Sequence, residues 1–130
     1  MKIRTLLALV AVLALASCAA PDSGNSAPPA DGDGDGDALT VTVSDFMIDP
    51  SELAVTGSSV SIEVVNDGPT PHNLSVRDAD GEVVMATDDL STGDTETITA
   101  DLEPGEYTIF CSLGGHESLG MSGTLTVAGG

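Results

Sequence analysis

Tryptophan is absent from this chain, and tyrosine and phenylalanine contribute only one and two residues. A folded core must therefore be built mostly from valine, leucine and isoleucine. Basic side chains are nearly as scarce, with three Lys and Arg against 21 Asp and Glu in 130 residues. Lys2 and Arg4 precede every acidic residue, so Arg77 is the only basic side chain beyond Cys18. From Cys18 onward the net charge is about −20, 21 carboxylates against one guanidinium. Nucleic acid and anionic membrane surfaces select a basic footprint and are therefore poor partners. Such an acidic surface suits a salty milieu or a basic docking partner, and equally serves as a general solubility coat, so it identifies no partner.

The apolar run from Leu6 to Leu15 is too short to span a bilayer comfortably, which takes about 20 residues. Behind Lys2 and Arg4 it has the layout of a secretory signal. It ends in Leu15-Ala16-Ser17-Cys18, which is similar to a bacterial lipobox. Residues 1–17 are therefore expected to be a lipoprotein signal peptide, with a lipid on Cys18 anchoring the protein to the extracytoplasmic face of a membrane. An uncleaved signal anchor is the alternative. No twin-arginine pair is present, so the general secretory route is expected over export in the folded state.

Cysteine is also scarce. Lipidation of Cys18 leaves Cys111 without a partner in a compartment that favours disulfides. A leftover cysteine there points to intermolecular pairing, a reactive thiol or a metal-bound thiolate. A Cys18–Cys111 disulfide is disfavoured, because it would tie a signal residue to the folded unit across a long spacer.

Residues 19–37 hold no apolar side chain larger than alanine or proline. Such a segment buries too little surface to offset its ordering entropy. Residues 18–37 are therefore expected to be the lipidated cysteine and a disordered acidic tether, averaging about 25 Å end to end. The stretch Asp31-Gly-Asp-Gly-Asp-Gly36 imitates the start of a calcium loop. Its twelfth position is Thr42 rather than glutamate, and no helical pattern flanks it, so calcium is rejected.

From Leu39 onward the pattern changes to a period of two. Leu39, Val41 and Val43 alternate with Thr40, Thr42 and Ser44. Leu53 and Val55 precede a turn at Gly57, and Val60, Ile62 and Val64 follow it. Further runs are expected at Leu74–Val76, Val83–Ala86, Thr95–Ala100, Tyr107–Phe110 and Thr124–Val127, divided by Gly, Pro and Asp turns. No ten-residue helical stripe follows the signal. Short β-rich runs of this kind predict an all-β fold, an antiparallel sandwich, over residues 38–128.

Histidine completes the set of scarce residues. His72, Cys111, His116 and Met121 fall in that order, the last three spaced as Cys-x4-His-x4-Met between two alternating runs. Taken singly, each has a plainer reading: a surface or core histidine, a small buried hydrophobe, a packing methionine. Together, two imidazoles, a thiolate and a weak thioether are the ligand set of a blue-copper electron-transfer site. On a sandwich, Cys111, His116 and Met121 share one loop at one end. His72, just after Pro71, is expected to approach from the neighbouring sheet. Gly114, Gly115 and Gly120 are expected to let the loop aim three side chains at one point.

At these residues the chain resembles the cupredoxin family of small type 1 blue-copper proteins. The resemblance runs over about residues 39–128 and rests on Pro71-His72-Asn73, Tyr107-Thr108-Ile109-Phe110-Cys111, His116 and Gly120-Met121-Ser122-Gly123-Thr124-Leu125. Phe46-Met-Ile-Asp-Pro50 through Gly57-Ser-Ser-Val60 is similar to the family's early strands. The ligand intervals look closest to auracyanin, rusticyanin and sulfocyanin loops. The acidic, tethered format is similar to halocyanins, though without a twin-arginine signal. The resemblance implies a Greek-key β-sandwich binding one copper ion through His72, Cys111, His116 and Met121. It also implies that Asn73 braces the His72 loop against Cys111–Ser112, and that His116, ringed by Leu113, Leu119 and glycines, is the electron port.

Other metals and functions fit less well. Structural zinc wants four strong ligands, and methionine is a poor fourth. A binuclear copper site needs a second cysteine in the loop, and catalytic copper chemistry needs further histidines; neither is present. The expectation is a non-enzymatic, monomeric carrier of single electrons. Its partners would be redox proteins such as a cytochrome, a respiratory or photosynthetic complex, or an oxidase. A copper-delivery protein without redox turnover and a metal-free envelope lipoprotein are the rival readings.

Overall fold

Alternation of branched apolar residues with threonine and serine makes the first strand. In β1 (Leu39–Ser44), Leu39, Val41 and Val43 are buried while Thr40 faces solvent. The computed structural model describes residues 38–130, so the expectations for residues 1–37 lie outside the described residues. Eight further strands follow: β2 (Met47–Asp49), β3 (Glu52–Thr56), β4 (Ser59–Asn66), β5 (Ser75–Arg77), β6 (Val83–Ala86), β7 (Thr95–Asp101), β8 (Gly105–Phe110) and β9 (Ser122–Ala128). The only helical element among the described residues is a 3-10 turn at Glu117–Leu119.

The strands form two sheets, one ordered β2-β1-β4-β7 and the other β3-β9-β8-β5-β6. Their apolar faces enclose one core, in which Val41, Val60, Ile62, Val76, Ile109 and Leu125 are shielded from solvent. The fold is thus the expected β-sandwich. Two of its ladders, β1 with β4 and β3 with β9, are parallel. The chain enters the second sheet at β3 and returns at β4, so β4 lies beside β1 in the same direction. Tyr107 anchors the aromatic-poor core: its ring is buried, and its hydroxyl donates to the Glu103 carbonyl at 2.9 Å.

Two connections at one end of the sandwich matter for function. The β8–β9 hairpin, in register from Gly105↔Val127 to Phe110↔Ser122, leaves residues 111–121 as a loop at its tip. The β4–β5 connection carries the chain from the first sheet to the second and contains His72.

Candidate metal centre

His72 is fixed before its side chain is considered. Its amide donates to the Leu90 carbonyl at 3.1 Å, and its carbonyl accepts from the Leu90 amide at 2.8 Å. The path leading to it is organised by Asn66, a wholly buried side chain. The Asn66 amide nitrogen donates to the carbonyls of Thr70 (2.9 Å) and Leu90 (2.8 Å), and its oxygen accepts from the Gly68 amide (2.9 Å). Only β5, three residues further on, enters a sheet, and there it pairs with β8 through Ser75↔Phe110. This corrects the expected approach from the neighbouring sheet. The strands that follow His72 and precede Cys111 are adjacent in one sheet, and His72 sits on the crossover that feeds it.

The other three candidates are tied together by the loop backbone. The Cys111 amide donates to the Met121 carbonyl, and the Met121 amide to the His116 carbonyl, both at 3.1 Å. Of the three loop glycines, Gly115 and Gly120 adopt positive φ (84° and 111°), which a side chain would resist. Cys111 and Met121 are fully buried in the core, and His116 is half-buried.

The donor atoms converge. His72 Nδ1 lies 3.2 Å from His116 Nδ1, which lies 3.5 Å from Cys111 Sγ, and all three atoms fall within 4.8 Å of one another. Two imidazole nitrogens that share an ion at about 2 Å each stand about 3–4 Å apart, so the spacing fits a common metal. Among the described residues no carboxylate joins this group. A soft sulfur and two imidazoles, with a methionine buried beside the cysteine, suit copper better than structural zinc.

Asn73 does what the resemblance implied. Its side-chain oxygen accepts from the Ser112 amide at 2.8 Å, and its nitrogen donates to Ser112 Oγ and to Asp89 Oδ1, each at 2.9 Å. The His72 segment is thereby stapled to the residue after Cys111. Other contributors were not foreseen. Asp45, in the β1–β2 turn, places Oδ1 3.0 Å from His72 Nε2 and accepts from the Thr70 hydroxyl at 2.6 Å. The Thr70 hydroxyl, and then His72, hold the Asp45 carboxyl below its ordinary range. Phe46 sets its ring edge-on to His116, with centroids 5.5 Å apart. Arg77 lies 4.3 Å above the Phe110 ring centroid and pairs through both nitrogens with Glu117 in the 3-10 turn. Asp45, Thr70 and Asn66 carry the signature of any polar turn. Arg77 stands out in the sequence by its solitude and Phe46 by the phrase that resembles the family's early strands, but neither signal points to the site.

A thiol and two imidazoles gathered at one end of a two-sheet β-sandwich, beside a buried methionine, define a small copper protein of the type 1 class. The chain belongs to the cupredoxin family: the family model for the cupredoxin-like domain matches residues 5–127. Similar solved structures include the dithionite-reduced auracyanin of the photosynthetic bacterium Roseiflexus castenholzii, at 23% identity and TM-score 0.65 over 73% of this chain and 99% of that one. Auracyanin B is similar at 20% identity and TM-score 0.64, over 79% of this chain and 92% of that one. A purple cupredoxin from Nitrosopumilus maritimus is similar at 22% identity and TM-score 0.52, over 69% and 99%. At these identities the likeness is one of fold. Comparison with curated proteins gives no match.

Proposed function

We propose that the protein is a membrane-tethered, extracytoplasmic carrier of single electrons, in which His72, Cys111, His116 and Met121 hold one copper ion. The convergence of two Nδ1 atoms and one sulfur within 4.8 Å carries this reading. Two imidazoles, a thiolate and a thioether would hold copper so that it could exchange one electron with little change of shape. The protein's part is to keep that sphere rigid and dry. Leu90, Asn66 and Asn73 hold the His72 segment, and the loop backbone holds the other three. His116 is the only one of the four with appreciable exposure, so electrons enter and leave there. Phe46 and Leu119, both exposed apolar residues, and the partly buried Leu113 give that end a short-lived docking surface. Both histidines of the chain are used in this site, leaving none for a catalytic copper.

Copper addition to the purified protein, followed by a visible spectrum and redox titration, tests the proposal. An intense blue or green colour that ascorbate bleaches reversibly is expected. A colourless holoprotein that surrenders copper readily would instead favour a delivery role. The tether is tested separately: Cys18→Ala should move the protein from the membrane to the soluble fraction, and an unchanged distribution counts against the lipid. The acidic surface favours a redox partner with a basic docking face, as a cytochrome or a terminal complex can offer. Electron transfer to such a partner should slow as salt rises, and a flat salt dependence overturns the pairing.

A further inference from the structure

His72 is wholly buried, and its two ring nitrogens face different neighbours. Nδ1 points toward the donor group, 3.2 Å from His116 Nδ1. Nε2 lies 3.0 Å from Asp45 Oδ1 and 3.2 Å from Thr70 Oγ1. The hydroxyl of Thr70 has one proton, and the 2.6 Å contact assigns it to Asp45. Both neighbours of Nε2 therefore present acceptor atoms, since an ionised carboxylate has no proton to give. Nε2 must carry the ring proton, which leaves the Nδ1 lone pair free on the side of the cysteine.

The approach of Asp45 is built into the backbone. Phe46 has φ +60°, the only positive φ of a non-glycine among the described residues, and it turns the chain sharply after β1. Gly68 makes room opposite: a Cβ there would lie 3.0 Å from Ser44 Cα and 3.1 Å from both Asp45 N and His72 Nε2. The Asp67 amide donates to the Val43 carbonyl at 3.0 Å and draws the two loops together. The same turn delivers the Phe46 ring to His116. Two adjacent residues thus reach the two histidines.

We propose that Asp45 is a positioning residue of the metal centre: it holds His72 as the Nε2–H tautomer, and its negative charge favours the more highly charged oxidation state of the bound metal. A carboxylate behind a metal-binding histidine orients the ring and strengthens it as a donor. This rests on the copper reading above, but half of its test does not need copper.

Two measurements on the full-length protein decide it. In metal-free protein, proton–nitrogen NMR of the histidine rings reads the tautomer directly. His72 is expected as Nε2–H in the wild type and in Asp45→Asn, whose amide oxygen still accepts, and as a mixture of tautomers in Asp45→Ala. In copper-loaded protein, Asp45→Asn should weaken Cu(II) binding about tenfold relative to Cu(I). For one electron that is a rise in reduction potential of about 59 mV. A wild-type His72 protonated at Nδ1, or an Asp45→Asn potential that stays level or falls, overturns the proposal. A colourless copper complex of the wild type would sink the electron-carrier reading instead, while the tautomer still decides the role of Asp45.

Discussion

The two histidines meet at one point but are held in opposite ways. His72 belongs to the scaffold: it is fully buried, its backbone is bonded to Leu90 on both sides, and its outer nitrogen is engaged by Asp45 and Thr70. His116 belongs to the surface. It is half-buried in a hairpin loop whose turn is closed mainly by bonds among residues 111–121, such as Leu119 to Gly115 and Gly120 to Glu117. Phe46, and Arg77 through Glu117, tie that turn to the rest of the protein. A carrier needs both kinds of ligand. One wall must not move when the charge changes, and one edge must come close to a partner.

The largest expected effect tests whether the two sides share an ion at all. Cys111→Ser removes the only thiolate of the site and should abolish the visible colour completely; retained colour refutes the cysteine as ligand. The next test addresses the asymmetry itself. In His116→Gly the vacated place opens toward solvent, so added imidazole should restore the colour. In His72→Gly the space is enclosed by the core, and added imidazole should fail. Equal rescue of both variants would erase the distinction between wall and port.

A third test compares the polar networks. Asn66→Ala takes the side-chain partner from the Thr70 carbonyl and the Gly68 amide, while the Leu90 carbonyl keeps the His72 amide; groups left unpaired in a buried loop cost about 1–3 kcal/mol each. Partial access of water to the loop should leave a net loss of about 2–3 kcal/mol, a fall in melting temperature of about 10 °C or more. Ser118→Ala on the loop side removes a bond from an exposed hydroxyl to the Gly115 carbonyl and should cost no more than about 0.5 kcal/mol. Comparable losses in the two variants would mean that the His72 side is no better fixed than the His116 side.

The sequence made one side of this comparison far more legible than the other. Strands were readable because alternation marks a half-buried surface, as in Leu39-Thr-Val-Thr-Val43. Cys111, His116 and Met121 were readable because they lie close together in a loop between two such strands. The scaffold that fixes His72 was not. Asp45 is 27 residues away from it and Asn66 reaches 24 residues onward to Leu90, and both look like ordinary turn formers. The three-residue strand β2 is too short for a period to emerge, whereas β5 was marked by Leu74 and Val76. The parallel pairing of β1 with β4 depends on which sheet each turn leads into, and the apolar pattern alone does not encode that. Asn73 was found only because its neighbour was a histidine in a familiar phrase.

The smallest expected effect concerns Arg77, the only lysine or arginine among the described residues. It links β5, beside the His72 segment, to the turn after His116, stacking on Phe110 on the way. Being partly exposed, the pair is screened by water and salt, so Arg77→Gln should lower the melting temperature less than Asn66→Ala does. Rising salt acts in two ways. It relieves repulsion among the acidic side chains and should raise the melting temperature of the wild type, while narrowing its lead over Arg77→Gln. Arg77→Lys separates charge from shape, because lysine keeps the positive charge but loses the two-pronged bond and the flat stacking surface. If the fork is what steadies the turn, amide exchange at Leu119 and Gly120 should quicken in Arg77→Lys almost as much as in Arg77→Gln. Full protection in the lysine variant would reduce Arg77 to a counter-charge and leave His116 held by its own loop.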